Sequence, residues 1–422
     1  MSSSASPLQT RFTPYQKLVV GFIAFLQFTM VLDFMLLSPL GALLMPALHI
    51  TPAQFGWLVS SYAFSAGIAG VCAAGFADRY DRKKLLLGFY AGFIVGTLLC
   101  GLASSYELLL GARMVTGVFA GLVGSVCFAI ITDIFPMEMR GRVMGFVQTA
   151  FAACSVLGLP ISLALSAHWG WNAPFLLIVA VGTVVGLAIA RWLKPVDAHL
   201  KLAHDSSPLH HLATTVSNPR YILGFVTTSF VSVGGFMLMP FVSAFNVHNV
   251  GVPFTSLPML YLITGFFAAG VGPLIGRASD AFGKYQVFFF GGVVTIVMVI
   301  IYTHMSDKPL WYLIIVSILL QIGIFSRIIS GTALTSGLPE PADRGAYMSI
   351  TSSLQQMAGG IAAVVAGQIV VESATGTLLR FDLLGYTLSV TTVISMGLMY
   401  LIARRIRRDS GAPRPASEVV VP

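Results

Sequence analysis

Twelve long apolar runs, separated by short polar or charged joints, dominate the chain. They fall at roughly 18–41, 54–76, 84–103, 106–130, 142–165 and 171–193 in the first half, and at 220–244, 256–275, 285–303, 310–333, 345–370 and 382–403 in the second. Each comes close to the ~20 residues that carry an α-helix across a bilayer. Glycine and proline interrupt many of them, with Pro39, Pro240 and the Gly359-Gly360 pair as bending points and Pro46 just past the first run. Such interruptions are tolerated where helices pack closely in lipid. The pattern predicts an all-α polytopic membrane protein of twelve spans.

The charged residues sit where that reading requires. Ala74–Lys84 packs two acids and four bases between the second and third runs, and Gly276–Lys284 places a related knot between the eighth and ninth. Charge is expensive in hydrocarbon, so both knots belong at a membrane surface. With the N-terminus inside, only Lys308 and Arg380 of the 24 Lys and Arg fall on the outer side, while Arg113 and Arg327 fall within spans and the other 20 are cytoplasmic. That bias predicts an even span number with both termini cytoplasmic.

Composition adds to this. Of the 422 residues 56% are hydrophobic and 9% charged, with mean hydropathy +0.86, too few charges to skin a large soluble core. The net charge of +8 is accounted for by topology, so no nucleic-acid partner is implied. The first apolar run is too long for a signal-peptide core and is read as a retained span. Cys72, Cys100, Cys127 and Cys154 lie in apolar segments without a CxxC and read as small buried hydrophobes. The histidines of the longest polar stretch (His199, His204, His210 and His211) lack the spacing of a metal site. No nucleotide-binding GxxxxGK[ST] loop occurs, and no cofactor or metal is expected. The expected organisation is an N-terminal segment 1–17, a first six-helix bundle 18–193, a linker 194–219, a second bundle 220–403 and a tail 404–422. Asp78 and Asp280 stand 202 residues apart, and Arg140-Gly141 and Arg344-Gly345 stand 204 apart. Equivalent loops recurring in the same sense predict parallel repeats about an axis along the membrane normal.

In these features the chain resembles the major facilitator superfamily, and within it the twelve-span bacterial drug and sugar efflux branch. Asp78, Arg79, Arg82 and Lys83 match the superfamily's loop after span two, although its first glycine is Ala74 here and its later glycine is Asp81. In the second copy Gly276, Asp280, Gly283 and Lys284 match, with Ala281 replacing an arginine. Arg113, Gly117 and Gly121 match the span-four pattern. The span-five antiporter pattern retains Pro160, but Leu159, Leu163 and Ala164 replace its glycines, with Gly158 nearby. The resemblance implies a major facilitator fold, secondary transport in a bacterial inner membrane, and an association of Arg113 with proton coupling.

Asp33 lies sixteen residues beyond Lys17, ~24 Å along a helix. A carboxylate at that depth must be protonated at times, paired, or facing a wet cavity. It reads as a proton-coupling or substrate group, with a satisfied packing contact as the alternative. Arg113 cannot readily reach the surface and needs a carboxylate, carbonyls or water. Arg327 stands closer to the inner surface, where it would meet an anionic group in a vestibule or, equally, snorkel or cap a helix. Gln27, Tyr62, Gln148, Tyr261, Gln355 and Gln356 are candidate cavity residues. Asp78, Arg79, Arg82, Asp133 and Asp280 form a candidate conformational switch, with Arg82 expected to pair with Asp133.

The resulting expectation is a non-enzymatic, proton-coupled transporter that exports a small amphipathic or cationic compound by alternating access. Its partners are that solute, protons and the lipid bilayer. Uptake or facilitated movement of a neutral solute such as a sugar is the alternative. An intramembrane enzyme would need paired acids, HExxH or a serine–histidine pair at membrane depth, and the sequence offers none.

Overall fold

The computed structural model describes residues 12–73, 80–197, 200, 214–340, 343–374 and 376–409. Seven helices make up the first half: α1 (Pro14–Leu48), α2 (Pro52–Ala73), α3 (Arg82–Leu102), α4 (Tyr106–Ile134), α5 (Met137–Ala153), α6 (Leu159–Trp169) and α7 (Ala173–Trp192). In the second half follow α8 (Pro219–Leu238), α9 (Val242–His248), α10 (Leu257–Phe282), α11 (Lys284–Thr303), α12 (Leu310–Thr335), α13 (Arg344–Ile369) and α14 (Phe381–Asp409). Among the described residues eleven helices or helix pairs are long and apolar enough to cross a membrane. The expected eleventh span is α13, a helix of sufficient length (26 residues) that is not among those eleven. Ser349, Ser352, Ser353, Gln355 and Gln356 lower its hydropathy. It packs between α2 and α8, with Ser353 and Gln356 against Gly67 of α2, while Ser349 and Ser352 are exposed.

Helix α1 is longer than its apolar run. Thr13 and Gln16 form a capping box that starts the helix at Pro14 by satisfying two otherwise orphan N–H groups. The helix continues to Leu48, so Pro46 lies inside it rather than beyond it. Two other spans are broken at proline. Pro160 has no N–H to offer the preceding turn, and Cys154–Gly158 widens into a π-turn just before it. The Met239–Phe241 stretch containing Pro240 is a 3-10 turn that joins α8 to α9. The loop before α14 holds a feature absent from the apolar pattern, a two-residue antiparallel ladder pairing Val371 with Leu379 and Glu372 with Leu378. The Asn249 amide docks it by bonding both the N–H and C=O of Leu378.

Lipid supplies no hydrophobic drive between helices, so close approach must come from small residues. Gly117 and Gly121 lie on one face of α4, where a Cβ on Gly117 would stand 2.5 Å from the Tyr62 carbonyl oxygen and one on Gly121 would strike that of Ala66. Backbone therefore packs on backbone between α2 and α4. Gly291 and Gly323 do the same for α11 and α12, the latter leaving a Cβ only 3.0 Å from the Gly291 carbonyl oxygen. Outward positions carry large exposed apolar side chains, among them Val184, Leu187, Phe266 and Val390, as a lipid-facing surface requires.

The two halves meet along three seams. Helix α2 lies against α13, where Ser60 donates to the Gly360 carbonyl at 2.7 Å and a Cβ on Gly56 would stand 2.6 Å from the Ala363 carbonyl oxygen. Helix α10 lies against the π-turn, with no room at Gly265 for a Cβ beside Ser155. At the break in the seventh span Ser38 donates to the Met239 carbonyl, and Ser243 returns a bond of 2.6 Å to the Pro39 carbonyl. This last seam lies toward the end remote from the basic loops.

Replacing Gly117 by alanine is expected to lower the melting temperature of the purified protein, at a cost of about 1–3 kcal/mol for forced overpacking. The control Gly88→Ala, at an open helical site, should leave stability unchanged or raise it by up to about 1 kcal/mol. Equal melting of the two variants would rule out the α2–α4 backbone contact.

Candidate functional site

Asp33 and Arg113 meet in the interior of the first half. Arg113 Nη1 stands 2.7 Å from Asp33 Oδ2, and both side chains are wholly buried. The same nitrogen reaches the Asp33 backbone carbonyl at 3.3 Å. Thr97 of α3 donates to the other carboxylate oxygen at 3.3 Å. The Tyr62 ring of α2 lies 4.5 Å from the guanidinium carbon, within cation–π range, while its hydroxyl reaches toward the Met30 carbonyl. Four helices thus converge on one ion pair.

Local sequence explains the convergence. Arg113, Gly117 and Gly121 recur every four residues along one face of α4, so the glycines that seat α4 on α2 also present Arg113 toward Tyr62. Gly96 brings α3 against α4 at Thr116, which places the next residue, Thr97, at the carboxylate. Gly158, standing one place from the expected antiporter glycine, lets the π-turn approach Leu32, where a Cβ would lie 2.7 Å from that side chain. The displaced glycine serves the helix that holds Asp33.

The pair is monodentate. Arg113 Nε and Nη2 have no hydrogen-bond partner among the described residues, so the guanidinium keeps unused donors beside an apolar and aromatic wall. Phe34, next to the acid, contacts Tyr62 on one side and Phe236 of α8 on the other. A ring chain therefore links the ion pair to the opposite half.

A second polar cluster stands at the basic end. Arg82, at the start of α3 and buried, donates through Nε to Asp133 near the end of α4 at 3.2 Å. Asp81, which replaces a glycine of the superfamily loop, caps α3 by accepting from the Lys83 N–H and also holds the Val196 N–H. Arg140 bonds the Phe135 and Thr132 carbonyls, closing the C-terminal end of α4. Asp78 and Arg79, like the four linker histidines, lie outside the described residues. Asp280 is exposed, with no ion pair among the described residues.

The remaining candidates are dispersed. Gln27, Tyr261, Gln355 and Gln356 are half-buried, and Gln148 is exposed. Gln356 lies on the seam with α2, near Gly67. Arg327 neither snorkels nor caps: it is 2% exposed and bonds Ser395 of α14. Thr97 and Ser395 escaped the reading of the sequence, because a lone hydroxyl in an apolar run usually satisfies its own helix. Their only signal was depth, with charged residues at similar depth on other spans.

The Major Facilitator Superfamily model matches residues 23–363 and again 225–422. The chain belongs to that superfamily. An MFS-type transporter of Bacillus subtilis, YceJ, is 27% identical over 390 residues, covering 90% of this chain and 95% of the relative. Multidrug resistance protein 3 of the same organism is 31% identical over 153 residues, which is 36% of this chain and 30% of that protein. The crystal structure of a bacterial homolog of the human lysosomal transporter Spinster superposes with a TM-score of 0.75 at 16% identity, covering 96% of this chain and all of that one. The molecule is therefore a multi-pass secondary transporter of the MFS type, embedded in a lipid bilayer and working on small molecules by alternating access. Transport, not catalysis, is its class of activity.

Removing one partner of the buried pair, as in Asp33→Asn or Arg113→Gln, should cost about 3–5 kcal/mol, because the other charge is left uncompensated. The double variant should recover part of that loss. Thermal melts arranged as a double-mutant cycle measure the coupling, and additive losses would show that the pair carries none.

Proposed function

We propose that this protein is a proton-coupled exporter of a small amphipathic or cationic compound, with Asp33 and Arg113 as the coupling pair. The observation that carries this reading is the buried contact between them, 2.7 Å long and wholly enclosed. Ionised Asp33 neutralises Arg113 and leaves the site hospitable to a cationic solute. Protonated Asp33 releases the guanidinium and makes the same site cationic, which disfavours such a solute. Proton and substrate then compete for one state of the protein, the least that exchange requires. Tyr62, Phe34 and Phe236 offer aromatic faces suited to an organic cation. The partial match to a multidrug resistance protein supports drug-like compounds as the cargo.

In this reading the protein has twelve spans in two six-helix bundles joined by the 194–219 linker. It lies in a bacterial inner membrane with both termini and the basic loops on the cytoplasmic side. Arg82 and Asp133, together with Asp78, Arg79 and Asp280, act as a switch that holds one facing state and touches no substrate.

Reconstituted wild type and Asp33→Asn, loaded with a panel of lipophilic cations, would be compared for substrate-driven proton movement. Coupling should fall at least about tenfold in the variant, and unchanged coupling would remove Asp33 from the mechanism. For the switch, Arg82→Gln should alter turnover several-fold while leaving substrate affinity within about twofold, since no uniform binding is lost. An affinity loss as large as the rate change would place Arg82 in the solute site instead.

A further inference from the structure

Where α1 and α7 run side by side, their outer surface is indented by a groove of about 380 Å³. Gly21, Phe22 and Phe25 of α1 form one wall and Val184, Val185 and Ala188 of α7 the other, with Lys17 at one end. Apart from Lys17 the lining is apolar. Gly21 and Ala188 give the groove its depth, since theirs are the smallest side chains in it. Phe25 and Val184 are exposed, so the groove opens toward lipid. From Lys17 to Phe25 it runs ~12 Å along α1, in the direction that a lipid tail takes.

The Lys17 end is cationic. Arg191 stands one turn beyond Ala188 and two beyond Val184, on the same face of α7. This end of α7 lies beside the start of α1, because the Lys194 N–H donates to the Tyr15 hydroxyl at 3.1 Å. Lys17 and Arg191 are both exposed and make no ion pair among the described residues. Two neighbouring bases are already engaged: Lys83 Nζ donates to the Ala190 carbonyl at 2.9 Å, and Lys194 Nζ lies 5.1 Å from the centre of the Tyr15 ring. Of the acids at this end, Asp81 accepts from two backbone N–H groups, and Asp197 makes no ion pair among the described residues. Exposed Trp192 suits the level of lipid headgroups. Positive charge here also serves topology, but topology asks for no groove beneath it.

We propose that this groove is a site for an anionic phospholipid, with one acyl chain laid against Gly21 and Ala188 and the phosphate held by Lys17 and Arg191. Neither part suffices alone: a single chain gives marginal, reversible attachment, whereas a chain joined to a basic patch holds. The Arg191 guanidinium can take two phosphate oxygens through paired N–H groups. The site is separate from the Asp33–Arg113 pair and rests on neither proton coupling nor efflux.

The test is native mass spectrometry of the full-length protein, released from detergent micelles that hold equal amounts of dioleoyl phosphatidylglycerol and dioleoyl phosphatidylcholine. Wild type should retain phosphatidylglycerol over phosphatidylcholine by at least about fivefold, the effect of one basic residue at a headgroup. Gly21→Leu puts a side chain into the groove, at a position where a Cβ meets nothing within 4 Å, and leaves every base in place. It should melt no lower than wild type, since leucine is the better helix former, and should retain phosphatidylglycerol at least about tenfold less. The double variant Lys17→Gln, Arg191→Gln keeps the groove and should lose the preference between the lipids. Equal retention of both lipids by wild type, or an undiminished preference in the double variant, overturns the proposal. So does undiminished retention in Gly21→Leu, which would assign the effect to the basic loops alone.

Discussion

The buried ion pair of Asp33 and Arg113 constrains the first half more than any other contact. Neither charge can stay at that depth alone, so α1 and α4 must be rotated to bring them together. Thr97 then ties α3 to the same carboxylate, and Tyr62 covers the guanidinium from α2. The glycine faces of α4 and of the π-turn follow from this requirement. They remove the side-chain bulk that would otherwise hold the helices too far apart for a bond of 2.7 Å. Packing and electrostatics here are one specification, written in Arg113, Gly117 and Gly121.

Between the halves the logic differs. Side chains there bond mainly to backbone carbonyls: Ser38 to Met239, Ser243 to Pro39, Ser60 to Gly360. A buried hydroxyl in lipid must find an acceptor, and the second lone pair of a backbone carbonyl supplies one. Such bonds are individually modest and can be exchanged for water when a seam opens. The Asp33–Arg113 pair lies inside the first half, so the opening of a seam does not of itself pull it apart. Alternating access asks for this division, with firm bundles and exchangeable seams.

The placement of the helices was legible in the sequence because span length is set by bilayer thickness, and charged joints cannot drift into hydrocarbon. The pairing of Arg82 with Asp133 was legible for a related reason: both stand at one membrane surface at the ends of helices that pack together. The meeting of Asp33 and Arg113 was not. Lipid and protein interior are both apolar, so the hydrophobic pattern carries little information about helix rotation. The π-turn before Pro160 and the left-handed backbone at Arg380 depend on local geometry that an apolar run does not display.

The two buried arginines show how far the repeat has diverged. Arg113 has its carboxylate on a neighbouring helix, and Arg327 has, among the described residues, a serine and an aromatic face. Ten residues of depth, measured from the loop arginines Arg140 and Arg344, separate their positions, ~15 Å of helix. The second arginine is therefore no remnant of the first, displaced by a slip of one turn. A buried charge kept at a new depth gives the second half an electrostatic centre of its own. The first half balances its buried arginine with an acid, whereas the second surrounds its own with a hydroxyl and an aromatic face.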